Sequence, residues 1–200
     1  GTTEAGRSMD SESAPQGPMS FSVTKAGEIC VLDQVNGRIL RFDGQGALAA
    51  VLPLPAGAFQ DMEVAADGRI VLLDRLARGE VVVLDAGGHE IAAHGVVGPG
   101  IAEGGGVTAM FLETDGLWLE YNHERIVRIL DDSLGACTRT VLKGRKAGTI
   151  HQTLWAAMAG QGKVEMGLMD RATGSTVARK QIDFGPDLLR IVWVQAGGPD

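Results

Sequence analysis

GEICVLDQVNGRILRFD (residues 27–43), GRIVLLDRLARGEVVVLD (68–85) and GLWLEYNHERIVRILD (116–131) are three versions of one pattern. In each, a glycine opens an apolar strand, and Asp33, Asp74 or Asn122 follows six residues later. A short polar turn comes next, and a second apolar strand closes on Asp43, Asp85 or Asp131. Glycine tolerates the positive φ of a tight turn. Asp or Asn at a strand end bonds its neighbouring backbone and fixes the reversal. The opening glycines stand 41 and 48 residues apart, which brackets the ~40 to 45 residues of one propeller blade.

Outward from these hairpins, MSFSVT (19–24), DMEVAA (61–66) and VTAMFLE (107–113) supply a strand before each pattern. LAAVLPLP (48–55), HEIAAHGVV (89–97) and TRTVLK (138–143) supply one after it, so every unit has four strands. The middle strands IVLL (70–73) and VVVL (81–84) are apolar at consecutive positions, as expected where neighbouring blades cover both faces of a sheet. A fourth unit runs through HQTLWAAMAG (151–160), VEMGLMD (164–170) and STVARKQID (175–183), with DRATG (170–174) as a hairpin turn. LLRIVWV (188–194) reads as the first strand of a fifth. The expected fold is therefore all-β: a β-propeller of about four complete four-stranded blades plus the first strand of another. Blades are expected at 18–55, 56–99, 100–145 and 146–185, with the start of the next at 186–200. Residues 1–17, rich in Ser, Thr, Glu and Gly, read as a disordered tether. An interrupted ring leaves apolar blade faces bare, so self-association through them is expected.

Composition excludes some partners. Hydrophobic residues make up 44% of the chain and charged residues 22%, and no apolar run reaches the roughly 18 to 20 residues of a transmembrane helix. A net charge of -7 opposes binding to nucleic acid, which is driven by cations on phosphates. Cys30 and Cys137 form neither a disulfide framework nor a metal-ligand cluster.

GPMSFSVTKAGEICVLDQVNGRILRFD (17–43) resembles the NHL-type repeat of six-bladed propellers. Its Pro-led inner strand, its glycine, and Asp33, Asn36, Arg38 and Ile39 follow the order of that repeat. The second unit keeps Asp74, with Ala77 and Gly79 in its turn, and the third keeps Asn122, Arg125 and Ile126. The resemblance covers residues 17–131 and implies a six-bladed ring and, by the habit of similar propellers, export to the periplasm or the cell exterior. The residues that carry it build turns rather than react. DRATG also resembles the DxxTG turn of quinoprotein-type propellers, but their tryptophan-docking pattern is missing and no quinone is expected.

Some propeller hydrolases that resemble gluconolactonases hold a divalent cation with acids on their inner strands. The inner strands here offer Ser20 and Ser22, then Gln60, Asp61 and Glu63, then Thr108, then His151 and Gln152. Strand alternation puts Asp61 and Glu63 on one face with Met62 on the other, which makes that pair the metal candidates. Gln60, Asp61, Thr108, His151 and Gln152 are the ligand-binding candidates. No catalytic residue is assigned, because no GxSxG elbow or HExxH helix is present. GPGIAEGGGVT (98–108) lacks the P-loop lysine and precedes a strand, so it reads as an inter-blade loop. His89, His94 and His123 read as surface groups, and Trp118, Trp155 and Trp193 as blade-to-blade packing. The function expected is a non-catalytic binding or scaffold module that presents loops to a protein or small-molecule partner, without a cofactor. The alternative is a metal-dependent lactonase-like or lyase-like enzyme whose remaining site residues lie beyond Asp200.

Overall fold

The computed structural model describes residues 17–147 and 152–191. Most of the expected tether, His151, Trp193 and the greater part of the LLRIVWV segment lie outside the described residues.

The four Asp-closed or Asp-containing turns shape the hairpins. Asp43 Oδ1 accepts from the amides of Gln45 and Ala47, both at 2.9 Å. Asp85 Oδ1 does the same for Gly87 and His89 at 2.8 and 2.9 Å, and Asp131 Oδ1 for Ser133 and Gly135 at 3.0 and 2.9 Å. In DRATG, Asp170 Oδ1 accepts from both the amide and the hydroxyl of Thr173 at 2.8 Å. Each carboxylate satisfies turn amides that no strand can reach, which is the local chemistry read from the sequence.

Between these turns lie four antiparallel, four-stranded sheets in which each strand pairs with its neighbours in sequence. The first holds β1 (Ser20–Val23), β2 (Ile29–Asp33), β3 (Arg38–Phe42) and β4 (Leu48–Pro53). The second holds β5 (Asp61–Val64), β6 (Ile70–Asp74), β7 (Glu80–Leu84) and β8 (Glu90–Gly95). The third holds β9 (Val107–Glu113), β10 (Gly116–Tyr121), β11 (Arg125–Leu130) and β12 (Ala136–Lys143). The fourth holds β13 (Arg145–Lys146), β14 (Gln152–Gly160), β15 (Lys163–Asp170) and β16 (Thr176–Asp183). Among the described residues the helical turns are two short 3-10 segments, Gln34–Asn36 and Gly104–Gly106. The second of these leads directly into β9, so the glycine-rich loop precedes a strand as expected.

Two compact units divide the chain. The first contains the first two sheets and takes in Met110–Leu112 of β9, and the second contains the rest of the third sheet and the fourth. In the first unit, Cys30, Leu32 and Ile39 of one blade interlock with Phe59, Met62, Ile70, Leu72, Val82 and Leu84. Each such Leu, Ile or Val side chain, fully removed from water, contributes about 1.5–3 kcal/mol. Strands β6 and β7 are buried along nearly their whole length, matching their consecutive apolar residues. On the other face of the first blade, Phe21, Val23 and Val51 remain 68%, 57% and 52% exposed.

One expectation needs correction. The fourth sheet has its own first strand, the two-residue β13, so Gln152 opens the second strand of that sheet rather than lying on an inner one. Of the expected fifth-blade strand, residues 188–191 are described and carry no strand pairing, and 192–194 lie outside the described residues.

Candidate functional site

The residues singled out on the inner strands fall into separate settings. Asp61 and Glu63 stand one repeat away from Ser20 and Ser22, and the hydroxyls reach across: Ser20 Oγ donates to Asp61 at 2.7 Å and Ser22 Oγ to Glu63 at 3.1 Å. Asp61 also accepts from the backbone amide of Met110 at 3.3 Å, within the same unit. Gln60 is held in its loop, accepting from the Arg75 amide at 2.9 Å and donating to the Ala58 carbonyl. Thr108 lies in the second unit and donates to Glu120 Oε1 at 3.0 Å. Gln152 pairs opposite Asp170, and its carbonyl accepts from the Ala147 amide at 3.0 Å.

The second unit also holds a cavity of about 540 Å³ whose walls the sequence did not bring together. Its rim is the β10–β11 turn. Asn122 and His123 both have positive φ, 52° and 56°, and the Glu124 amide donates to the Tyr121 carbonyl at 3.1 Å. Within the three-residue loop Asn122–Glu124, two successive residues at positive φ give the primed turn whose twist suits the flanking strands, and Asn is among the few side chains that accept its first position. The turn puts His123, Glu124 and Arg125 at the mouth of the cavity.

The floor is made where β12 hands over to β13. Gly144 has φ of 99°, donates its amide to the Glu124 carbonyl at 2.6 Å, and passes so close to β14 that an added Cβ would lie 2.5 Å from the Leu154 carbonyl oxygen. Only glycine meets both demands. Lys143 and Arg145 flank it, one on each side in sequence, and both line the cavity. Trp155 forms the facing wall. Its indole lies over Gly167, its partner across the β14–β15 pair, where a Cβ would come within 2.6 Å of the ring. The ammonium of Lys143 sits 3.9 Å from the indole centroid.

Beneath the rim is Glu120, whose side chain is only 4% exposed. It accepts from Arg145 Nε at 3.1 Å on each oxygen, from Thr108 at 3.0 Å, and lies 2.7 Å from His123 Nδ1. Burial pushes its carboxyl pKa upward, but the hydrogen bonds from Arg145, His123 and Thr108 outweigh that, and the net shift is downward. Glu120 is therefore a charged anchor that fixes Arg145 and His123. The Thr108 hydroxyl gives its proton to this carboxylate rather than to the imidazole, which is not the order of an activated nucleophile. What the cavity can do is hold a ligand: a flat aromatic wall, apolar contacts from Leu142 and Leu154, and three cations against the single lining carboxylate, Glu124.

Sequence reasoning missed Glu120, Arg125, Lys143 and Arg145 as site residues and placed Trp155 among packing groups. One signal was available for Glu120, a carboxylate inside the otherwise apolar GLWLEY strand. Trp118 does pack as expected, 1% exposed.

No protein-family profile matches the chain, and no curated protein sequence matches it. Solved structures do. A chain of hydrazine synthase from Kuenenia stuttgartiensis is similar with a TM-score of 0.55 at 11% identity, covering 83% of this chain and 49% of that one. A streptogramin B lyase has a TM-score of 0.49 at 13% identity, with 82% and 53% covered. BamB from Moraxella catarrhalis has a TM-score of 0.48 at 14% identity, with 82% and 53% covered. The chain spans about half the length of these solved chains. Such neighbours are β-propeller proteins, and with the four antiparallel sheets the fold is that of a β-propeller.

Proposed function

We propose that the chain is a non-catalytic β-propeller module that binds a small molecule in the cavity of its second unit. One observation carries the reading: a volume of about 540 Å³ with an oriented tryptophan and convergent polar groups. That lies within the roughly 300–1,000 Å³ of small-molecule sites, which combine apolar walls with a few placed polar groups. The polar groups are locked to one another rather than arranged as nucleophile and base, which favours binding over chemistry.

The enzyme alternative would use Asp61 and Glu63 on a divalent cation. Calcium takes about six to eight oxygens, whereas both carboxylates already accept serine hydroxyls, and among the described residues no three His, Cys, Asp or Glu gather as ligands. Among the described residues the pair does not fit such an ion.

The finer reading as an NHL-type repeat is supported by Asp33, which accepts from Asn36 Nδ2 at 2.9 Å and Arg38 Nε at 2.8 Å, so three of the matching residues form one bonded set. A six-bladed ring and an extracytoplasmic location belong to the same proposal. The second rests on the composition of residues 1–17, and compartment fractionation tests it. Among the described residues no helix is long and apolar enough to cross a membrane.

The binding reading is tested by thermal shift of the full chain against a library of small aromatic and aliphatic compounds balanced in charge. Stabilising compounds are expected, and Trp155→Ala should abolish their effect. A library without a stabiliser, or stabilisers indifferent to Trp155→Ala, would overturn it.

A further inference from the structure

Resting on the cavity as the binding site, we infer that its ligand is an anion: a carboxylate or phosphate attached to a planar body, paired by Lys143 and Arg125 and stacked on Trp155. Some of the lining charges are already committed. Arg145 is bonded to both oxygens of buried Glu120, and Glu120 is further held by Thr108 and His123, so this pair is neutralised in place. The remaining lining charges are Lys143, Arg125 and Glu124. Arg125 meets Glu124 only at 3.5 Å, with the two side chains 41% and 67% exposed, a contact that water and salt largely screen. Lys143 rests on an aromatic face, and the carboxylate that acts on it from β15, Glu165, is itself bonded by Arg179. The cavity thus keeps an excess of positive charge in a chain whose net charge is -7.

The aromatic wall then selects the rest of the ligand. A cation over a half-buried indole is held less strongly than one paired with an anion. An incoming carboxylate or phosphate therefore draws the ammonium off the ring and frees that face for a planar group. Gly167 keeps the indole flat while this happens, because the ring rests on backbone with no side chain beneath it. Arg125 stands directly across the β11–β12 ladder from Lys143, its guanidinium suited to two oxygens of the same anion.

The test is calorimetry on the full chain with phenylacetate, acetate, phenyl phosphate, phenylacetamide and phenethylamine. Phenylacetate or phenyl phosphate should bind roughly tenfold or more tightly than the amide, and the amine more weakly than either. Whichever of the two anions binds tighter identifies the headgroup. Lys143→Met should cost the anions roughly five- to tenfold, leave the amide unchanged, and be largely rescued by Lys143→Arg. Lys143 is exposed at a strand end, so these variants are expected to fold, and an unchanged melting temperature checks that. Amide or amine binding as tight as the anions, or a Lys143→Met variant with unaltered anion affinity, overturns the charge assignment while leaving the cavity as a binding site. Acetate binding as tightly as phenylacetate overturns the planar body. Failure of both anions to bind overturns the inference outright, whatever the wider library shows.

Discussion

Asp74 has no exposed surface, and burial raises the pKa of its carboxyl. The amides of Ala58, Ala77, Arg78 and Leu76 more than reverse that, and the net shift is downward. The group therefore stabilises the fold as a carboxylate. Its contribution is complete above the unfolded value of about 3.9 and disappears as the pH falls below that through the lower folded value. Asp74→Ala should cost about 1–3 kcal/mol at neutral pH, read from the denaturation midpoint, because several turn amides lose a charged acceptor. The difference between variant and parent should shrink on acidification, and a difference constant with pH would assign the loss to packing. Asp74 was legible because two of the amides it accepts, from Leu76 and Ala77, lie in its own turn, whereas Asp33 accepts from the side chains of Asn36 and Arg38 rather than capping the backbone. Asn122 was expected to cap its turn and does not: it stands one residue past β10 in a turn of three residues, against four after Asp33 and five after Asp74. So short a turn leaves no room for a side chain to wrap it, so positive φ closes the hairpin instead, and Glu120, one residue before Tyr121, is the carboxylate buried beneath it.

Strands and hairpins were readable for the same reason, since period and turn chemistry are properties of neighbouring residues. β13 was not, because two residues carry no period, and neither was the cavity, whose walls come from the ends of β11 and β12 in one sheet and of β13 and β14 in the next. The Gly144 crossing sets that packing, so Gly144→Ala should displace β12 from β14. Its expected result is a loss of stability of roughly 2 kcal/mol or more, with changed near-ultraviolet signal from Trp155, and unaltered spectra would show that the backbone gives way elsewhere. DRATG does more than turn the chain. Arg171 has its side chain 2% exposed, lies 5.1 Å from the Trp118 ring, and pairs with Glu113 at 3.7 Å and Asp115 at 3.9 Å. Arg171→Ala should therefore destabilise by roughly 3 kcal/mol. Arg171→Lys should recover little of that, since an ammonium keeps the charge but not the planar stack. A fully restored midpoint in the lysine variant would reduce the role of Arg171 to its charge.

On the scale of the molecule, the partly exposed face of the first blade, where Leu40 is buried but Phe21 and Val51 are not, is the feature with the largest solution effect. Phe21 and Val23 of β1 and Val51 of β4 lie on the face opposite the Cys30–Leu32–Ile39 core, and apolar surface of this kind favours association with a second copy. Sedimentation across a concentration series should show reversible self-association, weakened by Phe21→Lys with the melting temperature unchanged. A monomer at every concentration would refute this. The sequence announced the exposed face through the repeat itself, whereas it could not indicate which polar groups would converge, because convergence depends on the packing of one sheet on another. The order of strands has a separate consequence, for time rather than stability. Every ladder joins strands adjacent along the chain, so each closure spans a short loop and little chain entropy is lost before contacts form. A blade can therefore assemble while the ribosome is still adding the next, and in pulse-labelled refolding the amides of its hairpins should gain protection before the side chains between blades lock together.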